Sequence, residues 1–248
     1  MGPPSDDGRN VPEPPEDDAN LIRESPIAHV LPGMVIRTLQ KHFYAGVKHA
    51  EVRFKYHAAD EDSVTGALGN DLVEPEPITI QVDGQIYLWS TTYYKIRGRG
   101  PNAPEGELGA DGIFQFEVFD QRFKRMLVRK GLLFQSKMRW TGTDGRLLEQ
   151  ARDLLTQSPS AIVIDYSEKG YRAFAASDVV AANGNRRKIR HGNNKALAQV
   201  LGDEFVGCTR GDLGLYWEPE RERLIVSGET VSDLVPEQFI GTRIERMR

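Results

Sequence analysis

Four polar residues in this 248-residue chain are of types, and at spacings, suited to work on a phosphate ester. Asp111 opens a strand-like run at GADGIF, where a carboxylate would project from the end of a sheet. In GLLFQSKM, Gln135 and Lys137 are two apart, so a strand puts them on one face, with Leu133 one pleat deeper; Phe134 and Met138 take the other face. A lysine at the end of an apolar strand must be solvated or charge-compensated, because burying it unpaired is costly. An Asp oxygen and a Gln carbonyl are donors that Mg²⁺ or Mn²⁺ accepts. A lysine beside them can position an attacking water or offset charge developing on the phosphate. Glu61, in ADEDSVTGALGNDL, is the candidate for a third oxygen, with Asp60, Asp62 and Asp71 competing. Glu107 and Glu117 are lesser rivals, and Gln150 could reach the same place from a following helix.

The elements that must position these residues follow from periodicity. Val35, Leu39, Phe43, Val47, Ala50 and Phe54 form the stripe of a helix that starts after Pro32-Gly33. Val64, Leu68 and Leu72 mark a second helix over about 60–72, with Gly66 and Gly69 leaving room for it to approach a sheet closely; Pro75 and Pro77 stop further helix. Strands are expected over 78–82 and 85–96, joined by an Asp83-Gly84 turn. Residues 98–110 form a Gly/Pro-rich loop, and strands over 113–119 and 131–138 come next. A helix over 147–155, an apolar strand over 161–165 and a strand over 171–175 complete the pattern. An apolar strand directly after a helix predicts an α/β sheet covered on both faces. The last fifty residues read as an extension with a helix over 195–205 and a hairpin over 215–226.

The series Glu61, Asp111, Gln135-Ser-Lys137, followed by a helix and an apolar strand, resembles the PD-(D/E)xK nuclease superfamily over about residues 35–175. The resemblance implies a restriction-endonuclease-like mixed sheet flanked by helices, with a helix acid, a strand-opening Asp and an (Asp/Glu/Gln)-x-Lys pair around Mg²⁺ or Mn²⁺. It extends to nuclease effectors of bacterial antiviral defence, some of which carry Gln in this place. No Pro precedes Asp111, and Gln135 stands where an acid is usual. The expected organisation is an acidic Pro-rich tail over 1–20, a nuclease-like domain over 21–180 and an irregular C-terminal extension over 181–248.

Charge distribution points the same way. Residues 1–20 hold six acids, one base and five prolines, so the net charge of −4 leaves 21–248 close to neutral. Within that part the bases cluster as Arg122, Lys124, Arg125, Arg129, Lys130, Lys137 and Arg139, and again as Arg186, Arg187, Lys188, Arg190 and Lys195. Arg97 and Arg99 on the glycine-rich loop add to the same surface. Such clusters suit a phosphate backbone, DNA more than RNA, and nothing in the sequence reads base identity.

Other chemistries are excluded. A single Cys208 permits no intramolecular disulfide, five scattered histidines make no zinc motif, and no P-loop or G-x-S-x-G elbow occurs. No apolar run approaches a membrane span and no signal peptide opens the chain, so a cytoplasmic protein without a membrane partner is expected. A small nuclease implies control by a regulatory partner protein or by homo-oligomerisation. Two other readings stay open: a non-catalytic nucleic-acid-binding subunit, and a scaffold acting through its tail and C-terminal hairpin.

Overall fold

The computed structural model describes residues 26–96, 110–231 and 235–247. The acidic tail, Arg97, Arg99 and Glu107 lie outside them. Helix α1 (Gly33–His57) buries Val35, Leu39, Phe43, Val47, Ala50 and Phe54, the stripe its sequence predicts. Helix α2 (Glu61–Asp71) starts where the Asp60 carboxylate accepts the Ser63 N–H at 2.7 Å, an N-cap reinforced by Glu61 and Asp62 in the first turn. Its two inner glycines do what their position implies. A Cβ on Gly69 would sit 2.3 Å from the Tyr93 ring and one on Gly66 3.0 Å from the Tyr93 hydroxyl.

Strands β1 (Ile78–Val82) and β2 (Gln85–Lys95) form a hairpin whose turn residues, Asp83 and Gly84, both have positive φ. Strands β3 (Gly112–Asp120) and β4 (Arg125–Met138) form a second, longer hairpin. Helix α3 (Gly145–Gln157) then crosses to β5 (Ile162–Ser167), which runs parallel to β4, and β6 (Gly170–Ala175) returns antiparallel to it. A short helix, α4 (Ala176–Ala181), follows. The remaining strands are β7 (Asn194–Ala196), β8 (Asp212–Leu213), β9 (Tyr216–Glu218), β10 (Arg223–Val226), β11 (Glu229–Val231) and β12 (Gln238–Arg246). Between β7 and β8, Leu197–Gln199 is a turn of α-helix that runs on into a π-helix, Val200–Phe205.

The principal sheet runs β1-β2-β12-β3-β4-β5-β6-β7 with β8 beside β4, and it is mixed and strongly curled. On one face α1, α2 and the 197–205 helix enclose Phe43, Trp89, Phe114, Phe116, Phe134 and Tyr166. On the other, α3, α4 and a three-stranded sheet (β11-β10-β9) enclose Ile113, Leu133, Leu154, Val163, Trp217 and Leu224. The fold is therefore α/β, with helices on both faces of a mixed sheet.

Two expectations are corrected. Residues 181–248 are not an extension: β12 lies between β2 and β3, antiparallel to the first and parallel to the second, with nine residue pairs on each side. Strand β4 begins at Arg125 rather than at Gly131. Arg125 before and Arg129-Lys130 after Met126-Leu127-Val128 cut the strand's apolar run short, and this masks its signal.

Candidate active site

The β3–β4 register pairs Gly112 with Phe134, which sets Asp111 opposite Gln135. The Asp111 backbone is fixed on both sides, its N–H donating to the Phe134 carbonyl (2.9 Å) and its own carbonyl accepting from the Gln238 N–H (3.0 Å). Gly112 is a packing glycine: a Cβ there would lie 2.4 Å from the Phe134 ring and 2.8 Å from the Gln238 carbonyl. Asp111 Oδ2 accepts from the Gln135 side-chain amide at 2.6 Å, from the Ser136 N–H at 2.7 Å and from the Ser136 hydroxyl. Burial holds the Asp111 carboxyl above the usual carboxylate range, against the pull of the Ser136 and Gln135 donors and of nearby Lys137. Gln135 is 3% exposed and its Oε1 is buried without a hydrogen-bond partner.

Lys137 projects on the same side of β4, with Nζ 3.4 Å from Asp144 Oδ2. Asp144 is also the N-cap of α3, its other oxygen accepting the Leu147 N–H at 2.8 Å. Glu61 reaches the same end of β4 from the α2 side and accepts the Met138 N–H on Oε1 at 3.2 Å. Its competitors are committed elsewhere: Asp60 to its cap, Asp62 to Gln238 and Lys95, and Asp71 to Arg53 and His49. The structure thus gathers Asp111, Gln135 and Lys137, and places Glu61 against the opposite face of the same strand end. Gln150 lies on α3 with a buried Oε1 that also lacks a partner. Glu117 belongs elsewhere, bound by Arg129 and Arg243 further along the sheet.

Three participants escape the sequence reading. Ser136 supplies two of the three donors to Asp111. Asp165, the cross-strand partner of Lys137, is 7% exposed, accepts the Trp140 N–H at 2.9 Å and lies 3.5 Å from Arg186 Nε. Burial raises its carboxyl too, against the Trp140 N–H and Arg186. Its one sequence signal is an acid closing an apolar strand. Asp144, the third, is visible only as a cap.

The basic clusters separate. Arg186 stacks on Phe174 (4.3 Å) within a loop tied to the start of α3 by Asp144 N–H to Gly184 O (3.0 Å) and Arg186 N–H to Gly142 O (2.9 Å). Arg187, Lys188 and Arg190 are exposed beside it, so this cluster borders the site. The other does not. Arg122, Lys124 and Arg125 lie at the turn end of the β3–β4 hairpin, about 30 Å away along the strand at ~3.3 Å per residue. Lys130 is buried, its ammonium donating to the Phe205 and Arg210 carbonyls, and burial lowers its pKa. Arg129 is held by Glu117 at 2.7 Å beneath the ring of Tyr216, and Arg139 pairs with Glu168. Lys130 is thus removed from the expected nucleic-acid surface, because a buried ammonium with two carbonyl partners cannot reach a phosphate.

A cavity of about 530 Å³ opens further along the same face, lined by Tyr94, Gln115, Glu117, Arg129, Trp217 and Arg243 among others. It is separate from Asp111. Among the described residues no group of three or more His, Cys, Asp or Glu is placed to hold a metal. The donors at Asp111 are nonetheless of the class a hard cation takes: a carboxylate and the buried, unpartnered Gln135 Oε1, with Glu61 behind. Among the described residues no helix is long and apolar enough to cross a membrane. No known family, curated protein or solved structure matches this chain.

Proposed function

We propose that this chain is a metal-dependent nuclease that hydrolyses phosphodiester bonds, on DNA more than RNA, with a restriction-endonuclease-like core. The observation that carries this is the meeting of Asp111 and Gln135 across the central hairpin with Lys137 two residues on. The order of α2, β2, β3, β4, α3 and β5, with β5 parallel to β4, supports the same reading; β12 between β2 and β3 is an addition to it. Asp111 and Gln135 are the residues that would hold Mg²⁺ or Mn²⁺, Glu61 lying across the strand from them rather than beside them as expected, and such an ion supplies neutralisation of phosphate charge and a water of lowered pKa. Lys137, held near Asp144, orients the attacking water and stabilises the charge that builds on the phosphate. Arg187, Lys188 and Arg190 grip the backbone beside the site, Arg186 being tied to Asp165 and Phe174.

The reading extends to a cytoplasmic defence effector controlled by a protein partner or by self-association. A second reading, a non-catalytic nucleic-acid-binding subunit, is favoured by one fact: Asp111 Oδ2 is already saturated by three donors. Plasmid and single-stranded DNA incubated with Mg²⁺, Mn²⁺ or EDTA separate the two. Metal-dependent cutting supports the enzyme; DNA binding without cutting under any metal supports the subunit.

A further inference from the structure

We propose that the turn between β3 and β4 is a contact for single-stranded nucleic acid, in which an unstacked base lies on Phe123 while the neighbouring basic side chains hold its phosphates. This rests on the nucleic-acid part of the function proposed above and is independent of the catalytic part. Phe123 is 56% exposed, which leaves part of its ring open to a partner. The guanidinium groups of Arg122 and Arg125 lie 5.1 and 5.4 Å from its ring centroid. None of Arg122, Lys124 and Arg125 is in an ion pair among the described residues, whereas Arg129, Arg139 and Arg186 all are. Lys124 instead donates to the Gln121 carboxamide at 2.7 Å.

The turn is also built to hold this display still. Asp120 is fully buried and accepts the Arg122 and Phe123 N–H groups on Oδ1, at 3.0 and 3.1 Å. Its Oδ2 takes the guanidinium of Arg246 on β12 at 2.5 Å. The nearest acid in sequence is thereby consumed in fixing the turn, and the tip offers positive charge around a partly exposed aromatic ring. Phosphate meets the charge, and a base meets the ring. In a duplex the base faces are already stacked on one another, so only a single strand can use both.

The test is fluorescence anisotropy in EDTA with a labelled mixed-sequence single-stranded DNA, the same sequence as a duplex, and anionic lipid vesicles. Wild type, Phe123→Ala, Phe123→Trp and Arg122→Ala/Arg125→Ala are compared, with thermal melts to confirm that each is folded. Phe123→Ala is expected to weaken single-strand binding about tenfold, as loss of one base–aromatic stack does, and to leave duplex binding within about twofold. Phe123→Trp should bind the single strand like wild type, and the arginine pair should weaken both nucleic acids. Single-strand binding unchanged by Phe123→Ala, equal loss on both nucleic acids, or binding of vesicles but not of oligonucleotide would each overturn the proposal. Cleavage by the same variants under Mg²⁺ keeps the two readings apart, since loss of stacking leaves Asp111 and Lys137 intact and a failed catalytic reading leaves the anisotropy result standing.

Discussion

The side-chain amide of Gln135 lies 2.6 Å from Asp111 Oδ2, joining neighbouring strands of the central hairpin across 24 positions of sequence. This bond turns the Gln135 nitrogen toward the carboxylate and leaves its Oε1 buried and unpartnered. A cation beside Asp111 would give that oxygen a partner.

Gln135→Glu puts a second carboxylate at hydrogen-bond distance from Asp111. Without metal, repulsion and the missing donor are expected to cost about 1–3 kcal/mol of stability. Added Mg²⁺ should then raise the melting temperature of the variant more than that of wild type. Equal metal-induced shifts contradict an ion at this place.

Stability should depend on pH through Asp111. Its folded carboxyl is held up by burial, above its value in the unfolded chain. The native state therefore keeps the proton longer. Its stabilising effect is full below the ordinary Asp range, is lost as pH rises through the folded value, and is level above it. Asp111→Asn should remove that slope and raise the melting temperature at neutral pH, by ~2–4 °C per kcal/mol released. Calorimetry across about pH 4 to 8 checks both, and an unchanged slope contradicts the burial argument.

Much of this was legible in sequence. The α1 stripe, the helix over about 60–72, the Asp83-Gly84 hairpin and the faces of β4 all follow from local rules that the tertiary structure does not override. What was not legible is non-local. Nothing in Gln238–Arg246 announces that it will be placed between two strands more than a hundred residues earlier, because its pairs are set by register and not by its own pattern. Lys130 looked like its basic neighbours, and only the arrival of Phe205 and Arg210 buries it. Asp165 likewise became visible only when β5 was laid beside β4.

Lys130→Met exchanges a buried ammonium for an apolar chain of similar size. Burial, the largest influence on Lys130, depresses its folded pKa below the unfolded value. Wild type is therefore penalised at neutral pH, and the penalty fades as pH rises toward the unfolded lysine value. The variant should melt higher than wild type at pH 7 and converge with it toward about pH 10. A lower melting temperature at pH 7 would mean that the two carbonyl bonds outweigh desolvation.

On the proposed function, duplex binding by the 186–190 loop would be electrostatic. Replacing Arg187, Lys188 and Arg190 with alanine should lower the slope of log affinity against log salt by about 0.9 for each phosphate no longer neutralised. Arg129→Ala, already committed to Glu117, should leave the slope unchanged. Salt titrations of both variants decide this, and equal slopes contradict the placement of the interface.

Cleavage of supercoiled plasmid by wild type, Asp111→Ala and Lys137→Ala, with Mg²⁺ or Mn²⁺ and with EDTA, tests the central claim most directly. Wild type should nick or linearise DNA only with metal. Each substitution should reduce the rate by at least about 100-fold while plasmid binding persists. Cutting that survives both substitutions, or that proceeds in EDTA, would contradict a metal-dependent centre at Asp111, Gln135 and Lys137.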